Sequence, residues 1–173
     1  MRASSWGVAC GHASLACGSA GLRGSPTELG LPRCNYWIFP GGNDHNATHA
    51  AWVKDKEQPF NGVFLSFPSA KDPTWESRFP GKSTAVCVAE MPWEWVQAFA
   101  EKRVRHRGEE YDAMKARLVE RLVALMVTRA PQVADRVEYT ELGTPASSEC
   151  VVEAERGPRH CLGVAVHAGG SLQ

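Results

Sequence analysis

Apolar residues follow two periodicities along this chain. Four short runs are rich in aromatic and β-branched residues: Asn35 to Phe39 (NYWIF), Val63 to Phe67 (VFLSF), Ser83 to Ala89 (STAVCVA) and Val137 to Leu142 (VEYTEL). Turn residues bound them, Pro40-Gly41-Gly42 after the first, Asn61-Gly62 before the second and Gly143 after the last. Each is predicted as a strand. The second and third, joined by a Pro-rich loop, are most simply antiparallel. A different period governs Gly108 to Arg129, where Tyr111, Met114, Leu118, Leu122 and Leu125 recur at steps of three and four. That spacing predicts a long helix with one apolar face. Glu109, Glu110 and Asp112 suit its first turns, Arg129 suits its end, and Pro131 stops it. Asn43 or Asp44 is placed to cap a shorter helix reaching Trp52 or Val53. Met91-Pro92 opens another, with Trp93, Val96 and Ala100 on one face. The predicted order is β-α-β-β-α-α-β, an α+β fold with helices packed on a mostly antiparallel sheet.

Composition limits this fold to the middle of the chain. Residues 21–148 hold five of the six Trp and every Phe and Tyr among the 173 residues. Only they supply the large apolar side chains that a core needs. Residues 1–20 form a leader and residues 149–173 a tail, both rich in small residues, without sustained period and expected to be irregular. The leader lacks the continuous apolar stretch of a secretory signal, since Gly7, Gly11, His12 and Ser14 interrupt it. No apolar run reaches the length of a membrane-spanning helix. Nineteen basic and nineteen acidic residues balance, which argues against nucleic acid or an anionic membrane as partner.

The chemistry is sparse. Cysteines at 10, 17, 34, 87, 150 and 161 form no Cys-x-x-Cys pair and are read as free thiols. Gly18, Gly21 and Gly24 do not match the Gly-x-Gly-x-x-Gly spacing of a dinucleotide fingerprint. His45 and His49 stand four apart, but no third metal ligand accompanies them, so a polar helix face is the reading. Asn46-Ala47-Thr48 is a glycosylation sequon, meaningful only in a secretory lumen. The basic run from Lys102 to Arg107 reads as a solvated linker, with a phosphate contact as the alternative. Asp72 with Glu76, and Glu109 with Glu110, give no reason for shifted pKa values. No catalytic, cofactor-binding or metal-ligating residue is assigned. What remains is aromatic: Trp37, Phe39, Phe64 and Phe67 are candidates to line a pocket for a flat or polyene ligand, with plain core as the alternative.

A family resemblance adds to this reading. Gly21-Leu22-Arg23-Gly24, Glu28-Leu29-Gly30-Leu31-Pro32 and Asn35-Tyr36-Trp37 resemble part of the retinol saturase family. The block Leu65 to Glu76 (LSFPSAKDPTWE) and Arg78 to Thr84 (RFPGKST) resemble it most strongly. Glu94-Trp95, Arg107-Gly108 with Tyr111, and Gly143-Thr144-Pro145 extend the match, which covers residues 21–148. These reductases belong with the phytoene-desaturase and carotenoid-isomerase flavoproteins. The resemblance implies FAD as cofactor, with NAD or NADP as a further one. It implies retinol or a related polyene as substrate, hydride delivery from reduced flavin to one alkene carbon, and association with the endoplasmic-reticulum membrane. The family's flavin-binding segments cannot be placed on this sequence, so the chain is expected to be a partial, substrate-domain piece, inactive alone. A non-catalytic retinoid binder is the alternative.

Overall fold

The computed structural model describes residues 15–42, 44–103 and 106–147. Five strands build one sheet: β1 (Leu15–Arg23), β2 (Tyr36–Ile38), β3 (Val63–Ser66), β4 (Lys82–Glu90) and β5 (Val137–Gly143). Their order in space is β2-β3-β4-β1-β5, and every neighbouring pair is antiparallel. The helices are α1 (His45–Lys54), α2 (Trp75–Arg78), α3 (Gln97–Ala100) and α4 (Glu109–Arg129), with 3₁₀ turns at Pro68–Ala70, Trp93–Trp95 and Pro131–Val133. The α+β architecture expected from the pattern is present.

The chief departure is β1. The leader expected to be irregular over residues 1–20 runs, from Leu15 onward, as a nine-residue strand inside the sheet, between β4 and β5. Its sequence, LACGSAGLR, has weak strand propensity and almost no bulk, so pattern reading passes over it. Tertiary packing explains the small residues. Ala16, Gly18, Ala20 and Leu22 share the face on which α4 lies with Ser83, Ala85, Cys87 and Ala89 of β4. A Cβ at Gly18 would come within 3.1 Å of Leu122 Cδ1. Helix and sheet therefore approach where the strands carry least. The rest of the leader and the tail 149–173, with Cys10, Cys150 and Cys161, lie outside the described residues.

The buried stripe of α4 is Tyr111, Met114, Leu118, Leu122 and Met126. Leu125, expected on it, is half-buried, because a step of four from Leu122 brings Met126 to the centre of the face. The helix expected after Met91-Pro92 is divided into the 3₁₀ turn Trp93–Trp95 and the short α3. Trp95 draws the chain aside: its indole N–H donates to the Val53 carbonyl at 3.2 Å, and its ring meets Trp52 at 4.7 Å between centroids. Trp52 is fully buried and its own N–H donates to the Glu90 carbonyl at 3.1 Å, which fixes α1 against the end of β4.

Arg107, read as part of a solvated basic run, is buried instead. Its guanidinium donates to the carbonyls of Phe99 and Ala146 and to the hydroxyls of Tyr111 and Ser147. Burying a guanidinium is tolerable when its donors are all engaged. This one ties the start of α4 to the segment after β5. Asn43 and Arg105 lie outside the described residues, and Asp44 is the helix cap, its side chain accepting from the Ala47 amide at 2.9 Å.

Candidate functional site

Strand alternation gives the sheet two unlike faces. One is sealed by α4 and holds Val63 and Leu65 of β3 with Phe67 just beyond it. The other presents the row Trp37, Phe64, Val88 and Cys17 across β2, β3, β4 and β1. At one end of that open face lies a groove of about 450 Å³, lined by Leu15, Trp37, Phe39, Asn61, Gly62, Phe64, Val88 and Glu90. Its volume falls within the roughly 300–1,000 Å³ of small-molecule sites. By contrast, the void between α4 and the sheet measures about 20 Å³, close to the least space that holds one water.

Each lining residue is placed by local structure. Trp37 sits opposite Phe64 in the β2–β3 register, with ring centroids 5.1 Å apart and the planes tilted by 60°. Phe39 follows the short β2, and its ring lies against Gly62, where a Cβ would come within 3.1 Å of Phe39 Cε1. The far side of Phe39 meets the His45 ring edge-on at 5.6 Å. Trp37 is 70% exposed, Phe39 54% and Leu15 50%. Three of the four aromatic candidates, Trp37, Phe39 and Phe64, thus share one groove. Phe67 does not join them: three positions beyond Phe64, the alternation turns it to the sealed face, where it is wholly buried.

One end of the groove is polar. The Glu90 carboxylate accepts from Asn61 Nδ2 at 2.8 Å and faces His49 Nδ1 at 3.1 Å. His49 is therefore engaged with Glu90 while His45 packs on Phe39, so the two histidines face different partners. Sequence reading missed Asn61 and Glu90. Asn61 carries only a turn signal, and Glu90 reads as the polar end of a strand; long-range pairing alone unites them with His49.

The remaining candidates resolve into scaffold. Asp72 accepts from the Thr74 hydroxyl at 2.8 Å and the Thr74 amide at 2.9 Å, and it pairs with Arg78. Those hydrogen bonds, the hydroxyl first, hold its carboxyl below the usual range, which suits an ionised turn-former. Glu76 accepts from the Gly81 amide. Ser69 Oγ accepts from the Thr84 amide at 3.0 Å, extending the ladder where β3 ends, and Lys71 donates to Ser66 and Asn35. The SFPSAKDPTWE block is thus a hydrogen-bonded loop that finishes the sheet edge. Burial pushes the Cys87 thiol up to about 12, leaving it an apolar filler.

The flavin implied by the resemblance can be tested against this geometry. Gly18 and Gly21 are inside β1 and Gly24 follows it into a turn, so the three glycines do not open a helix. Gly41 and Gly42 do precede α1, but the Asp44 carboxylate already takes the helix N-terminus. A phosphate there would meet a like charge. Among the described residues, neither segment fits a dinucleotide cradle.

The fold and groove define an α+β domain with an aromatic cleft that is polar at one end. The chain is related to the all-trans-retinol 13,14-reductases. It is 32% identical to the zebrafish (Danio rerio) enzyme over 140 residues, 79% of this chain and 23% of that one. The human (Homo sapiens) all-trans-retinol 13,14-reductase matches at 32% over 139 residues, again 79% of this chain and 23% of the relative. A zebrafish protein named inactive all-trans-retinol 13,14-reductase matches at 31% over 145 residues, 79% of this chain and 24% of its own. The chain therefore spans about a quarter of the length of these relatives. No protein-family model matches it, and no solved structure does. No helix among the described residues is long and apolar enough to cross a membrane.

Proposed function

We propose that this chain forms the substrate-holding part of a retinol-reducing oxidoreductase, and that retinol's polyene lies in the groove beside Trp37. One observation carries the reading: Leu15, Trp37 and Phe39 stay half exposed or more around Phe64 and Val88, on a sheet whose other face is packed. Contiguous exposed apolar surface of this kind marks a binding site. Aromatic rings offer a conjugated ligand offset stacking as well as burial. The names of the relatives supply the ligand class. A flavin bound elsewhere in such an enzyme would supply the hydride for the 13,14 double bond, at the endoplasmic-reticulum membrane in this reading. These residues bind the polyene, orient it and keep water away. The chain alone holds retinol without reducing it.

Titration of the full chain with all-trans-retinol, followed by retinol fluorescence, tests this. The expected result is saturable binding with no loss of polyene absorbance over time and no flavin absorbance. Trp37→Ala and Phe39→Ala each weaken binding about tenfold, the effect of losing part of one buried aromatic. Absence of saturable binding overturns the proposal.

A second reading, a holder without catalytic purpose, is favoured by the similarity to a relative named inactive. A chimera separates the two. Residues 15–147 are placed in the zebrafish reductase in exchange for the matching segment. Turnover supports the reductase part, and retinol binding without turnover supports the holder.

A further inference from the structure

We propose that Glu90 is the specificity determinant of the groove: its carboxylate accepts the hydroxyl of the ligand and selects an alcohol over the corresponding aldehyde or ether. The inference rests on the groove being the retinol site and adds to it the group that reads the polar end. Glu90 and Asn61 are the two lining residues with polar side chains, and both stand at the same end of an otherwise apolar wall. The carboxylate accepts from Asn61 Nδ2 at 2.8 Å and meets His49 Nδ1 at 3.1 Å, and the two nitrogens lie 3.5 Å apart on the same side of it. Below it, Trp52 Nε1 donates to the Glu90 carbonyl at 3.1 Å, and Glu90 is paired to Leu15 of β1. The side chain is thereby pre-positioned, yet it remains 29% exposed toward the groove and solvent.

The selectivity follows from donor and acceptor count. An ionised carboxylate has about four acceptor sites and no donor. Asn61 supplies one donor and His49 Nδ1 at most one more, so acceptor capacity remains for a further O–H. An alcohol supplies that O–H and forms a charge-assisted hydrogen bond, the stronger kind. An aldehyde brings only lone pairs toward a negative charge, and an ether cannot donate. A site built to bond a hydroxyl rejects analogues that lack one far better than it rejects a change in size.

The test compares ligands on the unaltered chain, which removes folding from the question. All-trans-retinol, its methyl ether and all-trans-retinal are titrated by quenching of tryptophan fluorescence. Retinol is expected to bind at least about tenfold tighter than the ether or the aldehyde. Glu90→Gln keeps the shape, removes the charge and adds an amide donor. It is expected to lose about tenfold for retinol while gaining affinity for retinal, a reversal that general loosening does not produce. Equal binding of the three ligands, with Glu90→Gln unchanged, overturns the role of Glu90 and leaves the groove reading intact. If none of the three binds, the groove reading fails and this inference with it.

Discussion

On the side of the sheet toward α4, strands β1 and β4 present Ala16, Gly18, Ala20 and Leu22 against Ser83, Ala85, Cys87 and Ala89. On the other side the same two strands present Leu15, Cys17 and Ser19 against Val86, Val88 and Glu90, with Phe64 and Trp37 continuing the surface on β3 and β2. A sheet with one solvated face alternates apolar inside with polar outside. Here the covered centre is built from small residues, and the open end carries some of the largest apolar ones. Small residues are what a closely seated helix requires. Large exposed ones suit a cover that comes and goes, which is what the proposed role of the groove requires.

The largest test of this contrast uses two phenylalanines three positions apart. Phe67 is wholly buried beyond β3 on the sealed face, whereas Phe64 lines the groove. Phe67→Ala is expected to cost about 3–5 kcal/mol, the range for deleting a buried aromatic. Against a domain stability of order 5–15 kcal/mol that is a large share. Phe64→Ser is expected to cost about 1 kcal/mol and to weaken retinol binding about tenfold. Urea midpoints with retinol titrations check both. Equal destabilisation by the two, with binding untouched, breaks the distinction between the faces.

A finer test sits on β1. Gly18→Val places a branched Cβ 3.1 Å from Leu122 Cδ1 and 3.6 Å from both the Cys87 carbonyl oxygen and Leu142 Cδ1. Overpacking of this kind costs about 1–3 kcal/mol. Its neighbour Ser19 is exposed on the open face, and Ser19→Val fits a strand that favours β-branched residues, so it changes stability by no more than about 0.5 kcal/mol. Thermal melts of the two variants decide whether the helix truly rests on the glycine.

These positions also mark what could be read in advance. Four of the five strands and α4 announce themselves through bulky residues at a clear period, α1 through its Asp44 cap, and the antiparallel β3–β4 pair follows from loop logic. The fifth, β1, has its identity set by what packs on it rather than by its own propensity. Trp37, Phe39 and Phe64 were legible as a group because aromatics in adjacent strands are brought together by pairing. Phe67 groups with them by a count of aromatics, but strand alternation turns it inward. Asn61, Glu90 and His49 are 12 to 41 positions apart, and no local pattern joins them.

The smallest expected effect lies on the loop that finishes the sheet edge beside the open face. Asp72 is partly exposed, and the Thr74 hydroxyl and amide, with Arg78, lower its pKa. A depressed carboxylate contributes stability that is present above its unfolded value, near 3.9, and is lost as pH falls through the lower folded value. Asp72→Asn keeps an oxygen for the Thr74 amide but removes the charge that favours Arg78. The variant is therefore expected to be slightly less stable at pH 7, with the difference from the parent shrinking below about pH 4 until the two urea midpoints coincide. A gap that stays constant down to pH 2 would mean that the carboxylate's charge plays no part in holding this loop. A gap that widens in acid would reverse the sign assigned to its interaction with Thr74 and Arg78. Retinol affinity should not move in either case, because Asp72 is not among the residues that line the groove.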